Sequence, residues 1–214
     1  MPADWGPTYD EELRCAALGY ITIAGVDEAG RGPLAGPVVA AAVVFPDAEA
    51  AASDPLLTDS KKLTPRQRER LYDHVVATAA SYGVARVDAD EIDRINILQA
   101  SLAAMARATA QLTPLADCVL VDGNHSPAHH FPAPQPHILP IIKGDGLCLS
   151  IAAASIIAKV TRDRLMVEYD ATYPEYGFAG HKGYPSQAHR AAVAEHGPCP
   201  IHRRSFRGVK EHCG

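Results

Sequence analysis

Four acidic residues follow short apolar segments of the chain and are candidates for one shared site. Asp27 and Glu28 adjoin the apolar segment 20–27, Asp122 ends a second segment, and Asp145 follows a third. Because ligands bind beyond the carboxyl ends of strands in α/β sheets, we expect these acids to converge. Converging carboxylates repel one another and need cations, and hard oxygen ligands suit Mg²⁺ or Mn²⁺. The pattern therefore predicts a divalent-metal site.

Each acid taken alone also fits an ordinary structural role. Asp122 with Gly123 is a common turn pair, Asp145 could cap the following helix, and Asp27 and Glu28 could be loop acids. Neighbouring side chains on a strand point to opposite faces. Asp27 and Glu28 can therefore serve one site only if the strand ends or bends there, which the glycines that follow permit. The functional interpretation depends on acids following three apolar strands together.

The elements that must position these acids indicate an α/β fold. Apolar, Val-rich or alternating segments predict strands at 20–27, 38–45, 83–87, 118–121 and 138–142. Helical periodicity predicts helices that start at Thr64-Pro65 and that span about 96–111, 147–169 and 186–195. Three strands come first and later strands alternate with helices. We therefore expect a mixed β-sheet, part antiparallel meander and part parallel, flanked by helices.

The chain divides, on this interpretation, into a main domain and an appendage. Its 214 residues suit one domain with a sizeable core. Residues 18–170 are expected to form the main domain. Residues 171–214, rich in Gly, Pro, His and Arg, are expected to form a C-terminal helical extension packed on the same domain.

Charge and cysteine content bear on the binding partner and the cellular compartment of the protein. The net charge is −5, yet five basic residues stand against one acid between Lys61 and Arg70, and six against one between Lys182 and Lys210. Such patches can form a nucleic-acid footprint, although on charge alone a solvated surface is the simpler interpretation. Five cysteines without a C-x-x-C pair favour a reducing compartment. We find no membrane span and no basic leader at the N-terminus, so the cytoplasm is expected.

Several sequence blocks, in order along the chain, resemble type 2 ribonuclease H. The blocks are the glycine-rich opening 25–42, the D-S-K-K-L element 59–63, Asp122-Gly123, Lys143-Gly144-Asp145, the A-A-S-I-x-A-K-like helix 151–159, and the tail motifs 180–184 and 202–206. Together they reach from about residue 22 to 208, which is far more specific than a single glycine-rich match. The resemblance implies a ribonuclease H-like fold and a metal-dependent endonuclease that cuts the RNA strand of RNA–DNA hybrids.

The resemblance also implies roles for the acids. In the family, an Asp-Glu pair and two further Asp residues hold the catalytic metals, which here are Asp27, Glu28, Asp122 and Asp145. Two Mg²⁺ or Mn²⁺ ions would activate a water and stabilise the leaving 3′-oxygen. The expected products carry a 5′-phosphate and a 3′-hydroxyl.

Substrate contacts follow from the same resemblance. The Gly30-Arg31-Gly32 loop is similar to the element that reads the ribose 2′-hydroxyl, and Tyr184 resembles the tyrosine that packs on the junction sugar beside a single ribonucleotide in duplex DNA. Other residues are interpreted as contacts to backbone phosphate, or near the scissile phosphate: Ser60, Lys61, Lys143, Arg203 and Arg204. Pro185-Ser186 departs from the frequent Gly-Thr after the tyrosine, which leaves the DNA-side contact open. The acidic net charge predicts weak, salt-sensitive binding.

Three other interpretations remain to be distinguished. A type 3-like ribonuclease H would act on long hybrids only, but it usually carries an extra N-terminal domain for which we see no room, and Gly30-Arg31-Gly32 favours type 2. A non-catalytic hybrid-binding module would lack one of the carboxylates, and all four are present. A zinc protein would use Cys199, His202, His212, Cys213 or the histidines of the 125–137 loop, whose spacing fits no zinc-finger pattern. A monomer without a clamp-binding tail is expected.

Overall fold

One mixed β-sheet forms the centre of the fold, as the computed structural model describes it for residues 6–57 and 63–213. The strands are β1 (Ile23–Ala29), β2 (Val38–Val44), β3 (Ser81–Val87), β4 (Cys118–Asp122) and β5 (His137–Ile141). Their order across the sheet is β3-β2-β1-β4-β5. β1, β2 and β3 pair antiparallel, whereas β4 runs parallel to both β1 and β5. The expected mixed sheet is confirmed.

Eight α-helices accompany the sheet within the described residues. They are α1 (Asp10–Ala17), α2 (Ala48–Ala51), α3 (Pro65–Thr78), α4 (Ala89–Ile95), α5 (Ile97–Thr109), α6 (Leu149–Thr172), α7 (Phe178–His181) and α8 (Gln187–His196). Helices α3, α5, α6 and α8 were expected. The sequence did not predict α1, α2, α4 and α7, which are short or bury few apolar residues.

Helix starts follow from local capping chemistry. The Thr64 side chain accepts a hydrogen bond from the Gln67 N–H, and the Gln67 side chain accepts one from the Thr64 N–H, so a capping box precedes Pro65. Asn96 adopts a left-handed φ of 67° and caps α5 through the Gln99 N–H. The chain therefore breaks at Asn96 into two helices.

Helices cover both faces of the sheet. α5 packs on one face against Ala24, Val26 and the inward side chains of β2. α6 packs on the other face, where every residue from Leu149 to Ala158 is buried. The first half of this helix is therefore buried on all sides. A Cβ at Gly25 would overlap the backbone of Ser150, so glycine lets the start of α6 lie directly on β1.

Both ends of the described chain pack on this core. In α1, Cys15 joins a buried cluster with Ile23, Leu120 and Cys148. The tail buries Phe178 and Val193 against Met166 in the second half of α6. The division into 18–170 and 171–214 stays a prediction.

No helix in the described part of the chain combines the length and the apolar character that crossing a membrane requires.

Candidate active site

The adjacent acids lie inside a strand, not at its end. β1 continues through Asp27 and Glu28 to Ala29, so the expectation that the strand stops at Asp27 was wrong. Asp27 accepts a hydrogen bond from Ser155 of α6, whereas Glu28 borders residues of α5. The two side chains thus lie on opposite faces of the sheet, yet both line the same cleft. They can do so because the neighbouring strand β4 ends beside them.

Asp122 joins the two acids through the sheet register. Val26 of β1 pairs with Val121 of the parallel strand β4, so Asp27 and Asp122 each lie one residue further along neighbouring strands. Asp27, Glu28 and Asp122 together line a cleft of about 280 Å³. The three acids come together because β1 and β4 pair in parallel and β4 ends at Asp122.

Asp145 lies next to Asp122 on a short 3₁₀ turn, Gly144–Gly146. Its N–H is 3.4 Å from Asp122 Oδ1, and its side chain is buried. A Cβ on Gly144 would come within 2.6 Å of Ile151 Cδ1, so glycine permits this close approach. Cys148, not Asp145, is the N-cap residue of α6. The alternative that Asp145 caps that helix was therefore wrong.

The electrostatics of these carboxylates favour a bound cation. Burial, then the charges of Glu28 and Asp122, raise the pKa of Asp27 well above its usual range, against hydrogen bonds from Ser155 and the Glu28 N–H. Burial and Asp122 also raise the pKa of Glu28, while Arg31, 3.4 Å away, opposes that rise.

The donor set fits a hard divalent ion. It offers only oxygen, and a cation would relieve the repulsion that, after burial, contributes to these raised pKa values. Among the described residues, no three His, Cys, Asp or Glu side chains are gathered closely enough to hold a metal ion as they stand. The fit therefore rests on donor chemistry and charge.

Residues 30–37 connect β1 to β2 and form the glycine-rich loop. Arg203 supports this loop from inside the protein. Its side chain is 0% exposed and donates four hydrogen bonds to backbone carbonyls of the loop. The acceptors, at 2.6 to 3.0 Å, are Gly30, Arg31, Pro33 and Gly36. The interpretation of Arg203 as a phosphate contact does not fit this burial, because its guanidinium is already engaged below the surface.

A second buried arginine, Arg162 of α6, holds the same loop from below. It donates to the carbonyls of Ala35 and Pro37 and to that of Lys182 in the tail. Burial lowers the pKa of Arg162 to about 10. Sequence reasoning missed this residue, since a lone Arg in a long helix gives no sign that it is buried.

Tyr184 faces the cleft beside the loop. Its side chain is 42% exposed, and a Cβ on Gly32 would lie 3.9 Å from the ring. The ring centroid is 5.8 Å from both Lys159 Nζ and Arg162 Cζ. Tyr184 therefore lines the same cleft as the acids, and its contact to a nucleotide stays a prediction.

Three further residues line the cleft and were not assigned a role from sequence. Ser155 and Lys159 are four residues apart on α6, and therefore share one helix face. Both lie in the segment 151–159 already noted as a motif, so their spacing could have identified them. Arg68 comes from α3, within the basic run that begins at Lys61. Arg68 adds a positive charge to the cleft lining, beside those of Arg31 and Lys159.

The remaining predicted contacts are Ser60, Lys61, Lys143 and Arg204. Ser60 and Lys61 lie outside the described residues. Lys143 is exposed, with a left-handed φ of 59°, just before the Asp145 turn. Arg204 is exposed, and Asp93 accepts a hydrogen bond from its backbone N–H. Phosphate contact by these residues stays a prediction.

Cys199 and His202, named above as possible zinc ligands, lie together in a buried cluster. His202 Nδ1 is 3.0 Å from the Cys199 N–H, and its Nε2 is 3.0 Å from His189 Nε2. Cys213 instead lies 3.6 Å from the Val209 carbonyl. Cys199 and Cys213 therefore have different neighbours.

Comparison with known proteins agrees with this geometry. The family model described as Ribonuclease HII matches residues 24–209. A Ribonuclease HII of Geobacter sulfurreducens is 57% identical over 215 residues, covering 100% of this chain and 93% of that protein. The crystal structure of ribonuclease H2 from Pyrococcus horikoshii superposes with a TM-score of 0.75 at 30% identity, covering 89% of this chain and 96% of that one.

A more distant structure shares the fold alone. Bst-RNase HIII in complex with Mn²⁺ superposes with a TM-score of 0.70 at 19% identity, covering 94% of this chain and 71% of that one. The family match over most of the chain and the high identity to the Geobacter protein lead to one assignment: the chain belongs to the ribonuclease HII family.

Proposed function

We propose that this chain cuts the RNA strand of RNA–DNA hybrids and also nicks duplex DNA on the 5′ side of a single ribonucleotide, leaving 5′-phosphate and 3′-hydroxyl ends. Membership of the ribonuclease HII family makes it a metal-dependent nuclease that acts on RNA–DNA hybrids. The proposal goes further, to the single-ribonucleotide reaction and to the residues that perform it. One observation carries it: a single cleft is lined by acids, the glycine-rich loop and Tyr184.

Asp27, Glu28, Asp122 and Asp145 are the residues that would hold Mg²⁺ or Mn²⁺. Two such ions would supply activation of the attacking water and stabilisation of the leaving 3′-oxygen. Ser155 orients Asp27 by its hydrogen bond. Asp27 and Asp145 are buried, and charge interactions are stronger where a side chain is shielded from water.

The glycine-rich loop is built to read a ribose hydroxyl. Arg203 binds the carbonyl oxygens of Gly30 and Arg31. Because the C=O and N–H of a trans peptide point in opposite directions, the N–H groups of Arg31 and Gly32 point away from Arg203. Gly32 has no side chain to obstruct a sugar, and it lines the cleft. A site built to hydrogen-bond a hydroxyl can reject the analogue without it by roughly 10⁴-fold.

Tyr184 supports action beside a single ribonucleotide. A hybrid-only enzyme needs no group that packs on deoxyribose next to the ribose. Tyr184 presents a half-exposed ring within reach of the loop and of Lys159, where a sugar following the ribonucleotide would lie. A monomeric state, cytoplasmic location and the lack of a clamp-binding tail stay predictions.

The experiment is cleavage of two end-labelled substrates, a DNA duplex with one ribonucleotide and a long RNA–DNA hybrid, with Mg²⁺, Mn²⁺ or a chelator. We expect a metal-dependent nick on the 5′ side of the ribonucleotide, which Asp27→Asn abolishes. Glu195→Gln, an exposed acid of α8, is the matched control and should cut normally.

Either substrate can contradict the proposal. Cutting of the long hybrid without the nick would indicate an enzyme for long hybrids only. Binding of both substrates without any cutting would indicate a hybrid-binding module.

A further inference from the structure

A chain of buried imidazoles lies directly behind Tyr184. His189 of α8 is 0% exposed and His202 of the tail is 1% exposed. The Nε2 atoms of the two rings are 3.0 Å apart, and His189 Nδ1 is 2.9 Å from the Tyr184 carbonyl oxygen. Two aromatic neighbours, Tyr176 and Phe178, pack against the His202 ring. The cluster is therefore fixed in place from several sides.

The hydrogen-bond partners assign one direction to this chain. The Cys199 N–H donates to His202 Nδ1 at 3.0 Å, so a neutral His202 carries its proton on Nε2. That Nε2–H donates to His189 Nε2, so His189 carries its proton on Nδ1. The Nδ1–H of His189 then donates to the carbonyl oxygen of Tyr184. Burial lowers the pKa of both histidines, to about 4 for His202, and this keeps the two imidazole rings neutral.

A third histidine, His181, contacts the same peptide segment. The Gly183 N–H donates to His181 Nδ1 at 3.1 Å, and the opposite ring nitrogen of His181 is 2.8 Å from the Tyr176 carbonyl. The His181 ring stacks on that of His189, with centroids 4.4 Å apart. The Gly183–Tyr184 backbone is thus hydrogen-bonded to two imidazoles that stack on each other.

The same segment is tied to the glycine-rich loop. The Leu34 N–H donates to the Gly183 carbonyl at 2.8 Å, and a Cβ at Gly183 would meet the Ala35 carbonyl at 2.6 Å. A shift of the Tyr184 backbone would therefore change the distance between its ring and Gly32. That distance decides whether a sugar fits between them.

From these contacts we infer that His189, oriented by His202, is a positioning residue for Tyr184 and sets the preference of the enzyme for a single ribonucleotide in DNA over a continuous hybrid. This inference rests on the proposed function of Tyr184. Neither histidine lines the cleft. Both therefore act through the Tyr184 backbone and not on the substrate.

The test compares kcat/KM on the single-ribonucleotide duplex and on the long hybrid. His189→Leu removes the donor to Tyr184, and we expect roughly a 10-fold loss on the former and less than about 2-fold on the latter, the size of one hydrogen bond. His189→Asn keeps a donor near the Nδ1 position and should restore most of the loss. In a Tyr184→Ala background, His189→Leu should cause no further loss, because the two residues act as one unit.

Two outcomes would overturn the inference: equal losses on both substrates, or a full further loss in the Tyr184→Ala background. Nitrogen-15 NMR of the imidazoles in the unmodified protein gives an independent measurement that needs no cleavage. It should show His189 protonated at Nδ1 and His202 at Nε2 near neutral pH, and the opposite tautomers would contradict the hydrogen-bond chain. A wild-type protein that never nicks at single ribonucleotides would refute the proposed function. The NMR measurement would still show whether the hydrogen bonds run from His202 through His189 to Tyr184.

Discussion

The guanidinium of Arg203 donates a 2.6 Å hydrogen bond to the carbonyl oxygen of Gly30, across 173 residues of chain. Three more bonds from the same side chain hold the rest of the loop. Here a distant arginine, buried beneath the loop, fixes the direction of its peptides.

Arg203→Lys should destabilise the protein and impair cleavage together. Lysine keeps the charge but lacks the planar fork, so at least one buried carbonyl loses its partner, at about 2–3 kcal/mol. Denaturant unfolding checks the stability, and kcat/KM on both substrates checks the loop. Arg204→Lys, at an exposed neighbour, is the control and should stay within about 0.5 kcal/mol of wild type. Equal effects of the two changes would contradict the structural role of Arg203.

Asp27→Asn should remove activity and yet stabilise the metal-free protein. The change deletes a buried charge that Glu28 and Asp122 repel, while an amide oxygen can still accept from Ser155. We expect a gain of about 1 kcal/mol, or roughly 2–4 °C in melting temperature. Thermal unfolding with a chelator measures this gain.

Adding Mg²⁺ or Mn²⁺ gives the complementary measurement on the same variant. Ligand binding raises the melting temperature of a native protein, so wild type should be stabilised and Asp27→Asn much less. A metal-free variant that melts below wild type, or one with a full metal response, would argue against Asp27 as a ligand.

Stability should fall in acid because His202 resists protonation. Its pKa in the folded protein is about 4, lowered by burial and by His189, against 6.5 when unfolded. The unfolded state therefore binds the proton more readily. The contribution of neutral His202 to the free energy of unfolding is fully present above about pH 6.5. About 3 kcal/mol of it is lost as pH falls towards 4.

His202→Gln isolates this contribution. Gln keeps a donor towards His189 and cannot be protonated in this range. The free energy of unfolding should therefore fall more steeply for wild type than for the variant between pH 6.5 and 4. Other titratable groups also face His202, and both proteins retain them: His181, His189, Tyr176 and Cys199. Parallel pH profiles would show that another group causes the acid loss.

Glu12→Ala should loosen the start of α6. Glu12 Oε1 accepts hydrogen bonds from the N–H and the hydroxyl of Ser150, at 3.0 and 2.5 Å, while Oε2 has no hydrogen-bond partner in the described structure. Alanine leaves two buried donors unpaired, which costs about 1–3 kcal/mol. Glu12→Gln keeps the acceptor and should cost less. Denaturant unfolding distinguishes the two, and a Gln variant as unstable as the Ala variant would contradict the role of Oε1.

Much of the fold was predictable because its determinants are local. Thr64, Pro65 and Gln67 specify a helix start within four residues. Apolar runs specify the buried strands, and the all-round apolar first half of α6 specifies a central helix. The acids could be picked out as candidates for the same reason, since each lies within, at the end of or within three residues of an apolar run.

The sequence by itself thus determined the type of sheet and the main helices, and it marked the four acids as candidates, through patterns that neighbouring residues complete. Only the tertiary structure decided that Asp27 and Glu28 reach one cleft from two faces of a continuing strand, and that Arg203 and His189 lie buried beneath the surface. A charged or polar residue is normally exposed. Its burial depends on carbonyls and rings brought from distant parts of the chain, and that information exists only once the chain has folded.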